Sequence, residues 1–110
     1  NRVDKPWGHE KILELTNTKM EKLMYIMAGY RTSVHYHRVR DETIRVLEGT
    51  VTVEFENGKK KTLRKGSKIH VPPGTVHSFI AKCNAYLHER SSPHPEDVVR
   101  VKDFYEHRLK

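Results

Sequence analysis

The sequence predicts an all-β protein, an antiparallel barrel or sandwich, on three observations. Short apolar stretches recur along the whole chain, each bounded by Gly, Pro, Asn or Asp. Where the pattern is cleanest, Val51, Val53 and Phe55 alternate with Thr52, Glu54 and Glu56, the period of a strand with one buried face. Asn57-Gly58 follows at once, a dipeptide suited to a tight hairpin. The 110 residues form one domain, 1–110, large enough for a single modest core.

Each element can be justified in turn. Pro6-Trp7-Gly8, near the start, reads as an anchor that packs an N-terminal strand onto the barrel or onto a partner subunit. EKILELTN (10–17) and KLMYIMAG (22–29) make a strand pair around a polar turn, and a break at Gly29-Tyr30 precedes TSVHYH (32–37). ETIRVLEG (42–49) and TVTVEFE (50–56) are separated by Gly49. Asn57-Gly58 reads as a type I′ turn, with φ > 0 at both central residues, at a hairpin tip far from the histidines. KKTLRKGS (60–67), KIHVPPG (68–74), VHSFIA (76–81) and AYLHERS (85–91) complete the set. Pro93 and Pro95 end the sheet. EDVVRVKDFYEHRLK (96–110) closes the chain as a strand or a short helix that packs Val98, Val101 and Phe104; its period does not decide between them.

Composition removes several classes of function. No apolar run approaches the roughly 20 residues that span a bilayer, so no membrane partner is expected. The first residues carry no signal-peptide core, and with a lone Cys83 a reducing, cytoplasmic setting is the expectation. A single cysteine also rules out an internal disulfide and a cysteine-based zinc site. The net charge is +7, but residues 57–68 alone hold five Lys and one Arg, which reads as a solvated hairpin whose lysines discourage edge pairing. Without a helix-turn-helix, an RNP motif or zinc-finger spacing, nucleic acid is not an expected partner.

The chemistry concentrates in SVHYHRVRDE, residues 33–42. On a strand, His35 and His37 share one face while Tyr36 leaves by the other. If Glu42 opens the next strand, it shares a face with Ile44 and Val46, so the carboxylate points inward. A buried carboxylate is costly unless paired or metal-bound, and two inward imidazoles nearby favour a metal. His77, on a strand whose Phe79 and Ala81 share its face, supplies a third imidazole, positioned by the rigid Pro72-Pro73-Gly74 turn. His70 alternates with Ile69 and Val71 and faces out, and His94 and His107 read as surface residues.

The spacing sharpens this. Gly29, five residues, His35, one, His37, four, Glu42, six, Gly49 resembles the first cupin motif at every position. Gly66, five residues, Pro72, one, Gly74, two, His77 resembles the second, with Ala81 where that motif carries Asn. Sixteen residues separate Gly49 from Gly66, close to the gap of compact cupins, and the two motifs cover residues 29–81. The resemblance implies a cupin-type antiparallel β-barrel (a double-stranded β-helix, or jelly roll) that holds one divalent ion on His35, His37, Glu42 and His77.

The flanks are similar to the cupin domain of type II mannose-6-phosphate isomerases. KPWGHE resembles its RPWG-x-(Y/F)-E opening, HYHR its ligand segment followed by Arg, and VLEGTVTV and PPGTVH its middle strands. PEDVVRVKDFYEH resembles its closing segment, so the likeness runs from about Lys5 to His107. The departures are a shorter His cluster, Thr43 after Glu42 where the family often has His-Trp, and Ala81. This resemblance implies aldose–ketose isomerisation of a phosphorylated sugar, with zinc, manganese, iron, nickel or cobalt as Lewis acid. The general base would be His88 or Glu89, which alternate along the last strand so that only one faces in. Among Arg31, Arg38, Arg40, Arg45 and Lys82, Arg38 and Arg45 would foremost hold the phosphate. A homodimer is the family expectation, and Tyr36 would suit its interface. Two other classes accommodate the same ligand set: a metal-dependent oxygenase, and a non-catalytic sugar- or metabolite-binding cupin.

Overall fold

Period-two burial on Met20–Ile26, Glu42–Glu48 and Ala85–Ser91, and fuller burial on Thr50–Phe55 and His77–Ala81, build two antiparallel sheets that share one core. The structure, a computed structural model, describes residues 2–105. The first sheet has the order β1-β2-β3-β10-β5-β8: β1 (Arg2–Lys5), β2 (Gly8–Leu15), β3 (Met20–Ile26), β10 (Ala85–Ser91), β5 (Glu42–Glu48) and β8 (Lys68–Val71). The second has the order β11-β4-β9-β6-β7: β11 (Val99–Lys102), β4 (Val34–Tyr36), β9 (His77–Ala81), β6 (Thr50–Phe55) and β7 (Lys60–Arg64). All the strand pairs are antiparallel, and no helix occurs among the described residues.

The inward faces are apolar at one end of the barrel and polar at the other. On β5 the buried series runs Glu42, Ile44, Val46, and on β3 it runs Lys22, Met24, Ile26. On β9 it runs His77, Phe79, Ala81, and antiparallel β10 runs Ala85, Leu87, Glu89. Each of these four strands therefore carries one buried ionisable group towards the same end, with Met20 on β3 and Ser91 on β10 buried beyond it, and the registers set these groups side by side: Glu89 opposite Lys22 on β3 and His77 opposite His35 on β4. The apolar end, with Val51, Val53 and Leu63, carries the packing that holds the polar end in place.

Three turns correct or refine the expectations. The chain changes sheets between β5 and β6 at Gly49, whose φ is +86° and where an added Cβ would stand 2.5 Å from the Asn84 carbonyl oxygen. Only glycine fits both the left-handed conformation and that close approach. The hairpin at Asn57-Gly58 forms, but not as a type I′ turn: Gly58 has φ +84° while Asn57 has negative φ. Phe55 and Lys59 close a three-residue loop, with Gly58 N–H donating to Phe55 O at 3.0 Å and Phe55 N–H to Lys59 O at 2.9 Å. That is the arrangement of a type I turn followed by a left-handed glycine. Nor is this tip remote from the histidines, because Phe55 is the Cα partner of His77. The closing segment is the strand β11, not a helix, and it does not pack the three apolar residues together: Val98, just before it, lines the cavity, whereas Val101 is exposed. Phe104 packs under the Arg31 guanidinium, 4.1 Å from the ring centre. His107 and the rest of 106–110 lie outside the described residues.

Candidate metal centre

The two sheets bring the four expected ligands together. His35 and His77 are direct partners across β4 and β9, so their rings lie on one face with centres 4.5 Å apart. His37 follows two residues after His35 and places its ring 5.1 Å from that of His35 and 5.6 Å from that of His77. One nitrogen from each of the three rings lies within 4.8 Å of the others. That is close to the roughly 4.2 Å that spans opposite ligands at about 2.1 Å from one ion. Glu42 arrives from the other sheet, its Oε2 3.4 Å from His37 Nε2 and 3.3 Å from His77 Nε2.

Hydrogen bonding fixes which nitrogen each ring presents. Each Nδ1 faces a backbone carbonyl: His35 that of Ser33 at 2.8 Å, His77 that of Thr75 at 2.8 Å and His37 that of Asp97 at 2.6 Å. A carbonyl only accepts, so each Nδ1 carries the proton and each Nε2 keeps a lone pair. Arg40 also crowds His37 Nδ1, with Nη2 at 2.9 Å. The guanidinium is itself a donor, so the protonated nitrogen belongs to the shorter carbonyl contact, and Arg40 is held instead by Glu89 at 3.1 Å.

The donor set fits a divalent ion. His37 Nε2, His77 Nε2 and Glu42 Oε1 are buried atoms without any hydrogen-bond partner, clustered on one point between the sheets. Such orphans are costly unless something not made of protein satisfies them. The protonation states suit a metal as well. Burial, and then the adjacent His77, push His35 down to about 3, so it is neutral at physiological pH. Burial opposes ionisation of Glu42, but the His37 and His77 contacts outweigh it and hold the carboxyl well below its usual range.

These groups line a cavity of about 280 Å³. Trp7, Met24, Phe79, Pro95 and Val98 form its apolar wall, while Lys22, Arg40 and Glu89 also line it, beside the candidate ligands. Trp7 is an anchor in the core, as its position suggested, and also a wall of this cavity. Which of His88 and Glu89 faces inward is set by the register of β10. Glu89 is buried and lines the cavity, whereas His88 lies outside it and pairs with Glu21 at 3.0 Å. Burial, then the Glu42 charge, push Glu89 up to about 7 against the opposing pull of Lys22 and Arg40.

The cations expected to hold phosphate are mostly placed elsewhere. Arg38 is exposed and does not line the cavity. Arg45 is exposed as well and donates to the Gly66 carbonyl at 3.1 Å, because its strand alternates and Ile44 and Val46 take the inside. Arg31 pairs with Glu54 at 2.6 Å and Lys82 is exposed. Arg40 alone of that group lines the cavity. Tyr36 leaves by the face opposite His35 and His37, half-buried.

Sequence reasoning missed Asp97. Its carboxylate accepts the backbone N–H groups of Arg38, Val39 and Arg40 at 3.0, 2.7 and 2.8 Å, while its carbonyl orients His37. Partial burial would raise its pKa, but those donors prevail and hold it at about 2. PEDVVR stood out as a family segment, yet nothing local indicated that its Asp reaches back some 60 residues to the ligand loop.

The Cupin domain family matches residues 22–87, more than half of the chain. A stretch of 51 residues is 41% identical to quercetin 2,3-dioxygenase of Bacillus subtilis (strain 168); it covers 46% of this chain, which spans only 15% of that relative's length. Among solved structures, KdgF from Halomonas sp. is similar with a TM-score of 0.78 and 26% identity, over 86% of this chain and 88% of that one. An RmlC-like cupin from Shewanella frigidimarina gives a TM-score of 0.78 and 26% identity over 88% and 86%. The salicylate 1,2-dioxygenase of Pseudoaminobacter salicylatoxidans shares the fold alone, at a TM-score of 0.70 and 22% identity over 76% of this chain and 24% of that one. The likeness of the flanks to mannose-6-phosphate isomerases gains no support from these relatives. Two antiparallel sheets that superpose on cupin structures and a family match spanning both motifs lead to one conclusion: the chain belongs to the cupin family.

Proposed function

We propose that this cupin is a metal-dependent oxygenase of small molecules. The observation that carries the reading is the convergence of three imidazole rings and the Glu42 carboxylate on one wall of a cavity that combines an apolar side with buried charged groups. The 41% identity to a quercetin 2,3-dioxygenase over 51 residues supports it. Bound there, a divalent ion such as iron, manganese, nickel, cobalt or zinc supplies Lewis acidity and positions open to oxygen donors. The protein supplies the rest. The Ser33, Thr75 and Asp97 carbonyls hold the three rings in the ligating tautomer. Trp7, Met24 and Phe79 exclude water and give an aromatic or otherwise flat substrate an apolar wall to pack on. Arg40 binds Glu89 Oε2, leaving Oε1 to take a proton from a substrate hydroxyl, a task suited to a carboxyl near 7.

Oxygen uptake by the purified protein, loaded in turn with each of those five metals and offered flavonols and dihydroxybenzoates, tests the proposal. Metal-dependent uptake that His77→Ala abolishes is the expected result. No uptake with any metal, in protein that retains one equivalent, overturns it.

Aldose–ketose isomerisation of a sugar phosphate is the second reading. One observation favours it: Glu89 stands beside the metal ligands as a base of suitable pKa for moving a proton between two carbons. It requires a phosphate-binding cation other than Arg38 or Arg45, which lie outside the cavity. Product detection with mannose 6-phosphate in the same metal series separates the two readings.

A further inference from the structure

We infer that Arg100 is the specificity residue of this cavity and selects a substrate carrying an anionic oxygen group, a carboxylate or a phosphate. Arg100 is the direct Cα partner of His35 across β11 and β4, so its side chain leaves on the same face as that ligand. The lining agrees: Val98 and Arg100 both border the cavity, Arg100 from an exposed position at its rim, ahead of a register shift that leaves Val101 unpaired with β4. Other cations of the cavity are already matched, Lys22 by Glu10 at 3.0 Å and Arg40 by Glu89 at 3.1 Å. Lys5 also has a partner. Arg100 has no acidic partner among the described residues, although Glu96 is exposed at the same rim.

Arg100 is solvated at the rim, but a buried group of the same cavity lacks a partner outright. The indole Nε1–H of Trp7, a residue only 2% exposed on the cavity wall, has no acceptor. Arg100 and Trp7 offer N–H donors alone, and a guanidinium pairs two oxygens of one carboxylate or phosphate in a fixed fork. A neutral hydroxyl uses neither the charge nor the fork. The inference deepens the oxygenase reading by naming the substrate class and rests on this cavity being the substrate site.

Trp7 is the single tryptophan of the chain, so its fluorescence reports on the cavity directly. Cobalt-loaded and metal-free protein are titrated with benzoate, phenyl phosphate and the neutral isostere benzamide, with cobalt content measured in each sample. The expected result is that benzoate or phenyl phosphate binds at least about tenfold more tightly than benzamide, in line with a charge-assisted hydrogen bond, and the two arms tell which anion is favoured. Arg100→Gln should remove that preference in the metal-free protein, Arg100→Lys should keep part of it, and both should retain one equivalent of cobalt. Equal binding of charged and neutral probes, no binding of any probe, or an unchanged anion preference in Arg100→Gln overturns the inference. An intact preference in a protein that consumes no oxygen with any metal overturns the oxygenase reading and leaves this one standing.

Discussion

At the residue scale the site depends on protons being in the right place. Three Nδ1–H groups are tied to carbonyls, so the nitrogen lone pairs that remain all face one point. Replacing His37 by Ala removes one of them and leaves the Glu42 carboxylate, 3% exposed, without part of its compensation. His37→Ala should therefore lower metal affinity by well over about a hundredfold, since even loss of a supporting partner costs 10–100-fold. Titration followed by metal analysis checks this. Glu89 makes a second, separate expectation. Its folded pKa of about 7 lies above the ordinary carboxyl value of 4.5, so the folded metal-free protein holds a proton that the unfolded chain releases. Stability of the metal-free protein should fall as pH rises from 4.5 to 7, and Glu89→Gln should flatten that part of the curve. Urea denaturation at half-unit pH steps is the measurement, and a profile unchanged by Glu89→Gln would contradict the assignment.

At the scale of elements, much was legible because strands encode it locally. Alternation alone located β6, and the fixed spacing of His35, His37, Glu42 and His77 indicated a shared face before any pairing was known. What was not legible depends on which strand lies beside which. Whether His88 or Glu89 faces inward follows from β10 lying between β3 and β5, and Arg100 borders the cavity because β11 pairs with β4. The Asn57-Gly58 loop shows the same limit on a smaller scale, since one residue of register separates a type I′ turn from the three-residue loop observed. Asp97 ties residues 38–40 to the segment before β11, and Asp97→Ala leaves three backbone donors unmatched. This variant should lose about 1–3 kcal/mol of stability and bind metal roughly 10–100-fold more weakly, whereas Asp97→Asn keeps an acceptor and should lose less. Because the folded pKa of Asp97 is lowered to about 2 from 3.8, its contribution is complete above 3.8 and disappears as pH falls towards 2. Gly49→Ala is the corresponding test of the sheet crossing. Left-handed backbone and a Cβ at 2.5 Å from Asn84 O should together cost more than about 1–2 kcal/mol, read as a lowered denaturation midpoint.

At the scale of the molecule, the barrel divides its interior lengthwise, with an apolar end that carries the packing and a polar end that gathers the candidate metal centre. Such a design leaves the metal-free protein with buried groups unsatisfied, Nε2 of His37 and of His77 among them. A divalent ion at a hundred times its Kd should then add about 2.7 kcal/mol, raising the Tm by roughly 10 °C or more for a chain of this size. The His77→Ala protein should show none of this rise. The barrel presents one candidate centre between its sheets and also an exposed His70–Asp41 pair on its surface, and the two make different claims about where a metal goes. Anomalous diffraction at the absorption edge of the bound metal, recorded from crystals of the loaded protein, decides between them most directly. The expected map holds one strong peak between the sheets, with Nε2 of His35, His37 and His77 and an oxygen of Glu42 at roughly 2.0–2.3 Å. A peak on Nδ1 atoms, a peak at His70 and Asp41 instead, or no peak in crystals soaked at saturating metal would contradict the account.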